Sequence, residues 1–140
     1  MAFKVFLDAN VCIDFLFQRK GFEPSERIFE KVISGELKAY TSPAIIHIIS
    51  YFLKKVLDKD TVRNLVLNLF ENVTVIDCTH EIAVHAVNSQ MTDIEDALQY
   101  YTAMHHKMNY FISLDKNLLK SAIPVLPAYT PTEFLNEIKQ

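Results

Sequence analysis

The spacing of hydrophobic positions changes repeatedly along this chain, and each change predicts an element. Phe3 to Leu7 is a short, mostly apolar run that reads as a strand. Asp8 stops it. Apolar sequence then restarts at helical spacing through about Phe17, with Asn10 as a candidate cap. Gly21 to Pro24 is a loop leading into a second helix, which Gly35 ends. Lys38 to Thr41 is a short strand. Ser42-Pro43 opens an apolar helix through about Lys55, with Ser as cap and Pro at the first helical position. Asp58 or Asp60 caps the next helix, through about Phe70, where Leu65, Val66, Leu69 and Phe70 form a core stripe.

The same alternation continues to the end. Val73 to Ile76 predicts a strand, and Thr79 opens a helix through about Asn88. Thr92 opens another through about Lys107, with Ile94, Ala97, Leu98 and Tyr101 as its buried stripe. Tyr110 to Leu114 is a strand ending at Asp115, and Val125-Leu126 is a last strand. Thr130-Pro131-Thr132-Glu133 is a capping box that starts a closing helix. Strands separated by helices imply crossover connections. The expected fold is therefore a single α/β domain over residues 1–140, with helices on both faces of a parallel sheet. In such sheets ligands bind at the carboxyl ends of the strands, where Asp8 and Asp115 both fall.

Composition narrows this without changing it. Half of the 140 residues are hydrophobic and only two are Gly, which suits a packed domain and argues against disorder. The net charge of −3 gives no global basic footprint, so nucleic acid would have to be met by a local patch or through a metal. The two cysteines, Cys12 and Cys78, have no zinc spacing and read as buried free thiols of a reducing compartment. Asp8 interrupts the N-terminal apolar run before it reaches signal-peptide length, and no apolar run is long enough to span a membrane. A cytoplasmic protein with no membrane partner is expected.

Three acidic segments carry the candidate chemistry: LDAN around Asp8, TDIEDA around Asp96 and SLDKN around Asp115. If they converge, three carboxylates meet with no evident Arg partner. Like charges repel, so such a site calls for a hard divalent cation, Mg²⁺ or Mn²⁺. Ions held this way activate water and clamp phosphodiester oxygens. Each acid also has a plain structural reading. Asp8 and Asn10 have the chemistry of helix caps, and Asp115-Lys116 of a solvated turn. Thr92 and Glu95 have capping-box spacing, and Asp93 and Asp96 suit a helix N-terminus. Lys54 and Lys55, with Lys59 and Arg63, offer a basic edge for phosphate or a solvated helix face, and Lys116 is read with them. The histidines carry no pattern that points to a site: His47 reads as a core residue, His80 and His85 lie five apart, and His105 and His106 end a helix where a cation suits the dipole.

LDANVCIDFL and IEDALQYYTAMHHKMNYFISLDKNL together resemble the PIN domain, the nuclease fold of VapC-type toxins, over nearly the whole chain. The family's first strand ends in Asp, with Thr, Ser or Asn two residues later and then an apolar helix. Another Asp leads a later helix, followed by a strand ending in Ser or Thr, one residue, and Asp. Here these are Asp8, Asn10, Asp96, Ser113 and Asp115. The resemblance implies a three-layer α/β/α fold and a Mg²⁺ or Mn²⁺ site at the sheet rim, with RNA, single-stranded or structured, as substrate. It makes Asp8, Asp96 and Asp115 metal ligands, directly or through water, and Asn10 and Ser113 hydrogen-bonding partners to them. It also implies a homodimer and an antitoxin protein as partner.

The chain departs from the family at one place. The helix after the second strand usually carries a Glu, expected here near His47 or Ile48, yet SPAIIHIISYFLKK contains no acid. Asp93, one turn from Asp96, is a candidate substitute. A degenerate PIN domain that binds RNA or protein without cutting is the alternative. A haloacid-dehalogenase-like phosphatase needs a second Asp at position 10, where this chain has Asn10, and a receiver domain needs an acidic pair where it has only Asp8. The apolar helices from Pro43 to Phe70 suggest a dimer face or a peptide groove as well as core.

Overall fold

A computed structural model describes residues 2–139. Five parallel strands form one sheet in the order β3-β2-β1-β4-β5. They are β1 (Phe3–Leu7), β2 (Leu37–Thr41), β3 (Val73–Val75), β4 (Tyr110–Ile112) and β5 (Ala128–Tyr129). The helices are α1 (Ala9–Phe17), α2 (Glu23–Ile33), α3 (Pro43–Lys54), α4 (Lys59–Phe70), α5 (His80–Val87), α6 (Ile94–His105), α7 (Lys116–Ser121) and α8 (Pro131–Ile138). α1 packs on α2 and α3, α3 on α4, and α2 on α8, while α5 packs mainly on α6. Right-handed crossovers put these two groups on opposite faces of the sheet. The expected three-layer α/β/α architecture is the one observed.

β1 lies at the centre because it can be buried on both sides. Val5, Phe6 and Leu7 are all inaccessible, the continuous apolar run that a strand between two helix layers requires. Phe6 stacks on Phe111 of β4 at 4.9 Å between ring centroids. β1 pairs with β2 on one side and β4 on the other. The chain first winds away through β2 and β3, then returns to wind through β4 and β5. The carboxyl ends of β1 and β4 therefore form the switch point of the sheet, where loops diverge and leave a crevice.

Several boundaries differ from those the pattern suggests. Asp8, not Asn10, caps α1; Asn10 is exposed within the first turn. Asp58 is the cap of α4. Asp93, not Thr92, caps α6, and the Thr92–Glu95 box does not form; Asp93 takes the Asp96 amide instead. Ile94 is exposed, and α6 buries Ala97, Tyr100 and Ala103 together with Gln99 and Thr102. On α4, Leu69 is buried but Phe70 is exposed. β4 stops at Ile112, and Asp115 caps the short α7. The last strand is Ala128–Tyr129, because the Leu126 carbonyl is taken by the Tyr100 hydroxyl at 2.6 Å rather than by a ladder. The Thr130–Glu133 capping box forms as expected. Cys12 is buried, whereas Cys78 is exposed, and His47 is exposed rather than in the core.

Candidate active site

The strand-to-helix break after β1 fixes the first acid. The Asp8 amide donates to the Ile112 carbonyl at 3.0 Å, so the residue is still tied to the sheet. Its side chain turns to cap α1, with Oδ1 accepting from the Ala9 amide at 2.8 Å. Oδ2 accepts from the Ser113 hydroxyl at 2.7 Å. Ser113 is fully buried just past β4, and its Oγ accepts in turn from the Asp115 amide at 3.0 Å. One hydroxyl thus links the ends of the two central strands. Asp115 Oδ1 accepts from the Asn117 and Leu118 amides, so this acid also caps a helix.

The third acid comes from the opposite helix layer. Asp96 stands in the first turn of α6, half-buried, and its amide donates to Asp93 Oδ1 at 3.0 Å. Asp93, Asp96 and Asp115 line one cavity of about 390 Å³ with Asn117, Lys120 and Ser121. Asp8 does not line it, but its charge is felt there. Burial raises the Asp96 carboxyl to about 6, helped by the charges of Asp115, Asp93, Asp8 and Glu95. Burial also raises Asp8, against the lowering effect of its bonds to Ser113 and Ala9, and the Asp115 charge raises it further. Burial, with the nearby Asp8 charge, pushes the Cys12 thiol well above its ordinary range, which makes it an inert core group.

The donor set can be tested against a divalent cation. Where this fold buries an acid for structure, it supplies a partner: Asp14 on α1 is paired with Arg19 at 2.6 Å. The ion pairs among the described residues join Arg19 to Asp14 and Lys31 to Glu36, and none reaches Asp8, Asp96 or Asp115. The rim therefore holds uncompensated hard oxygen donors. No three His, Cys, Asp or Glu side chains among the described residues stand close enough to grip one ion together. That excludes a closed all-protein cage. Mg²⁺ and Mn²⁺ keep several waters and take one or two carboxylates plus substrate oxygens, and Asp96 and Asp115 on the shared cavity would be the carboxylates to supply them.

The other residues singled out from sequence divide clearly. Lys116 opens α7 beside Asp115. Lys54 and Lys55 end α3, which starts at the acidic rim and runs back along the sheet for 12 residues, about 18 Å. The structure does not bring them to the acids. Lys120 enters the cavity and was not singled out, because a lysine on a short helix gives no pattern of its own. Two neutral hydroxyls stand at the end of β2. The Ser42 hydroxyl caps α3 and donates to Gln99 Oε1, with Gln99 one turn beyond Asp96 and buried. The Thr41 hydroxyl donates to the Leu7 carbonyl at 3.2 Å. On α3 itself His47 is exposed and Ile48 half-buried, with no acid on the helix.

Comparison with known proteins agrees with this layout. A PIN domain family model matches residues 4–117. VapBC2 from Rickettsia felis, solved with a DNA fragment from its promoter, superposes with a TM-score of 0.71 at 12% identity, covering 91% of this chain and 98% of that one. A toxin–antitoxin complex from Klebsiella pneumoniae gives 0.68 at 18% identity, covering 91% and 97%. The sarcin-ricin-loop-cleaving toxin VapC20 of Mycobacterium tuberculosis gives 0.64 at 12% identity, covering 85% and 95%. No curated protein matches the chain in sequence. No helix among the described residues is long and apolar enough to cross a membrane. With its switch-point aspartates and a family match over most of its length, the chain belongs to the PIN domain family.

Proposed function

We propose that this chain is a Mg²⁺- or Mn²⁺-dependent ribonuclease that acts as the toxin of a toxin–antitoxin pair. The observation that supports this reading is that Asp96 and Asp115 line one cavity at the switch point, with the Asp8 charge near enough to raise Asp96 and no ion pair to any of the three among the described residues. The metal supplies the positive charge that activates water and stabilises the oxygens of a phosphodiester. Asp96 and Asp115, which face the shared cavity, would hold it, with Asp8 behind them. Ser113 fixes the Asp8 carboxylate in place and ties it to the Asp115 backbone, so the two acids cannot move independently. Asp93 adds charge and anchors the first turn of α6 beneath Asp96. Lys120, which lines the cavity, and Lys116, beside Asp115, would meet RNA phosphates entering the rim.

RNA incubated with Mn²⁺ and the purified chain tests this. Cleavage by the wild type that is lost in Asp96→Asn supports the reading. Equal cleavage by both proteins would place the chemistry elsewhere. The acid-free α3 favours one second reading, a PIN domain that binds RNA or protein without cutting. RNA binding by the wild type without metal-dependent cleavage is its signature.

An antitoxin and a second copy of the chain are the proposed protein partners. Tyr51, Val56, Leu67 and Phe70 leave large apolar surface exposed on and between α3 and α4. The solved relatives from Rickettsia felis and Klebsiella pneumoniae were captured as toxin–antitoxin complexes. A cytoplasmic location goes with that role.

A further inference from the structure

The two ends of α6 carry different chemistry. Asp96 stands at its start, and His105 closes it nine positions later, about 14 Å along the axis. There His105 Nε2 lies 2.8 Å from Nδ1 of His85 on α5. The two rings are inclined at 76°. The Tyr101 ring packs against the His85 imidazole at 4.5 Å between centroids, so this ring is held in place from α6. Both histidines are exposed to solvent.

A separation of 2.8 Å admits a hydrogen bond between two neutral rings. It also matches what a single ion requires. Two metal–nitrogen bonds of about 2.0–2.1 Å meeting at a right angle place the nitrogens about 2.9 Å apart, whereas a tetrahedral angle needs about 3.3 Å. Right-angled nitrogen coordination is the preference of Ni²⁺ and Cu²⁺, and imidazole is a ligand that both bind well. Mg²⁺ and Mn²⁺ prefer oxygen, so the acids and the imidazoles select different ions. Glu81, one turn before His85, shares its helix face and adds negative charge nearby. No third His, Cys, Asp or Glu among the described residues completes a cage, so water would fill the remaining positions.

We propose that His85 and His105 form a second metal site, separate from the carboxylates, for a divalent transition ion of the Ni²⁺ or Cu²⁺ type. The ion would tie the last turn of α5 to the last turn of α6, in the pair of helices that delivers Asp96 to the rim. The site does not depend on the nuclease reading, because it uses none of its residues.

Thermal melting of the untagged full chain with added Ni²⁺ is the test, since an ion that binds only the folded state raises the melting temperature by mass action. The expected result is a rise in the wild type that is lost in His85→Gln and in His105→Gln but kept in His80→Gln, His106→Gln and Asp96→Asn. A rise that survives both of the first two substitutions, or no rise in the wild type, overturns the site. Electron paramagnetic resonance of bound Cu²⁺ gives a check that needs no variant. Coupling to two imidazole nitrogens is expected, and its absence rules the pair out.

Discussion

The two sides of the acidic rim are built differently. On the β1–β4 side, acids project from consecutive strand ends and a buried serine joins them. On the β2 side, Ser42 caps α3, which carries no acid, and the Ser42 hydroxyl is bonded to the neutral, buried Gln99 of α6. The first side holds carboxylates with no ion-pair partner among the described residues; the second is satisfied by hydrogen bonds. The contrast teaches that the acids gather on one side of the rim, so an ion held there would draw its remaining ligands from water and substrate.

The largest effect should come from the charged side. Asp96→Asn should abolish Mn²⁺-dependent RNA cleavage, while Gln99→Glu should leave it measurable; the reverse order would move the chemistry to the β2 side. Next comes Ser42→Ala, which removes the α3 cap and leaves buried Gln99 without its partner. Chemical denaturation should show a loss of about 1–3 kcal/mol, and no loss would mean the contact is not structural.

The pH dependence is smaller. The Asp96 carboxyl is raised to about 6 in the fold, above its ordinary value of 3.8, so the folded state binds the extra proton between those values. Stability from this group is fully present below the lower value and is lost as pH rises through about 6. The melting temperature of metal-free wild type, relative to Asp96→Asn, should fall over that window; a flat difference would show that burial and the neighbouring acids do not raise this carboxyl. Weakest is the gain from restoring the family's acid. His47→Glu or Ile48→Glu should increase Mn²⁺ affinity, and no gain at either position would place the missing carboxylate elsewhere on α3.

How much of this could be read from sequence follows from the range of each signal. Asp8 was legible because a strand that breaks into a helix is a local event, and Ser113 and Asp115 because β4, its neighbour in the sheet, ends the same way. The parallel sheet between two helix layers followed from alternation alone; its strand order did not. Which acid capped α1 or α6 was not legible, since Asp8, Asn10, Thr92 and Asp93 all have capping chemistry and backbone direction decides among them. The final strand was misplaced because Tyr100, far earlier in the chain, captures the Leu126 carbonyl. Gln99 gave no signal, as a buried glutamine on a helix looks like a solvated one until its partner is known. Lys54 and Lys55 read as a basic edge, and the direction of α3 sets that edge apart from the acidic rim. The His85–His105 contact spans 20 positions and exists only because α5 and α6 pack together.

The central claim is that the acids at the switch point form one cation site. A Mn²⁺ titration followed by thermal melting, on wild type and Asp8→Asn, tests it without any knowledge of the RNA. The account predicts a rise in melting temperature for the wild type that disappears in the variant. An equal rise in both, or none in either, would contradict it.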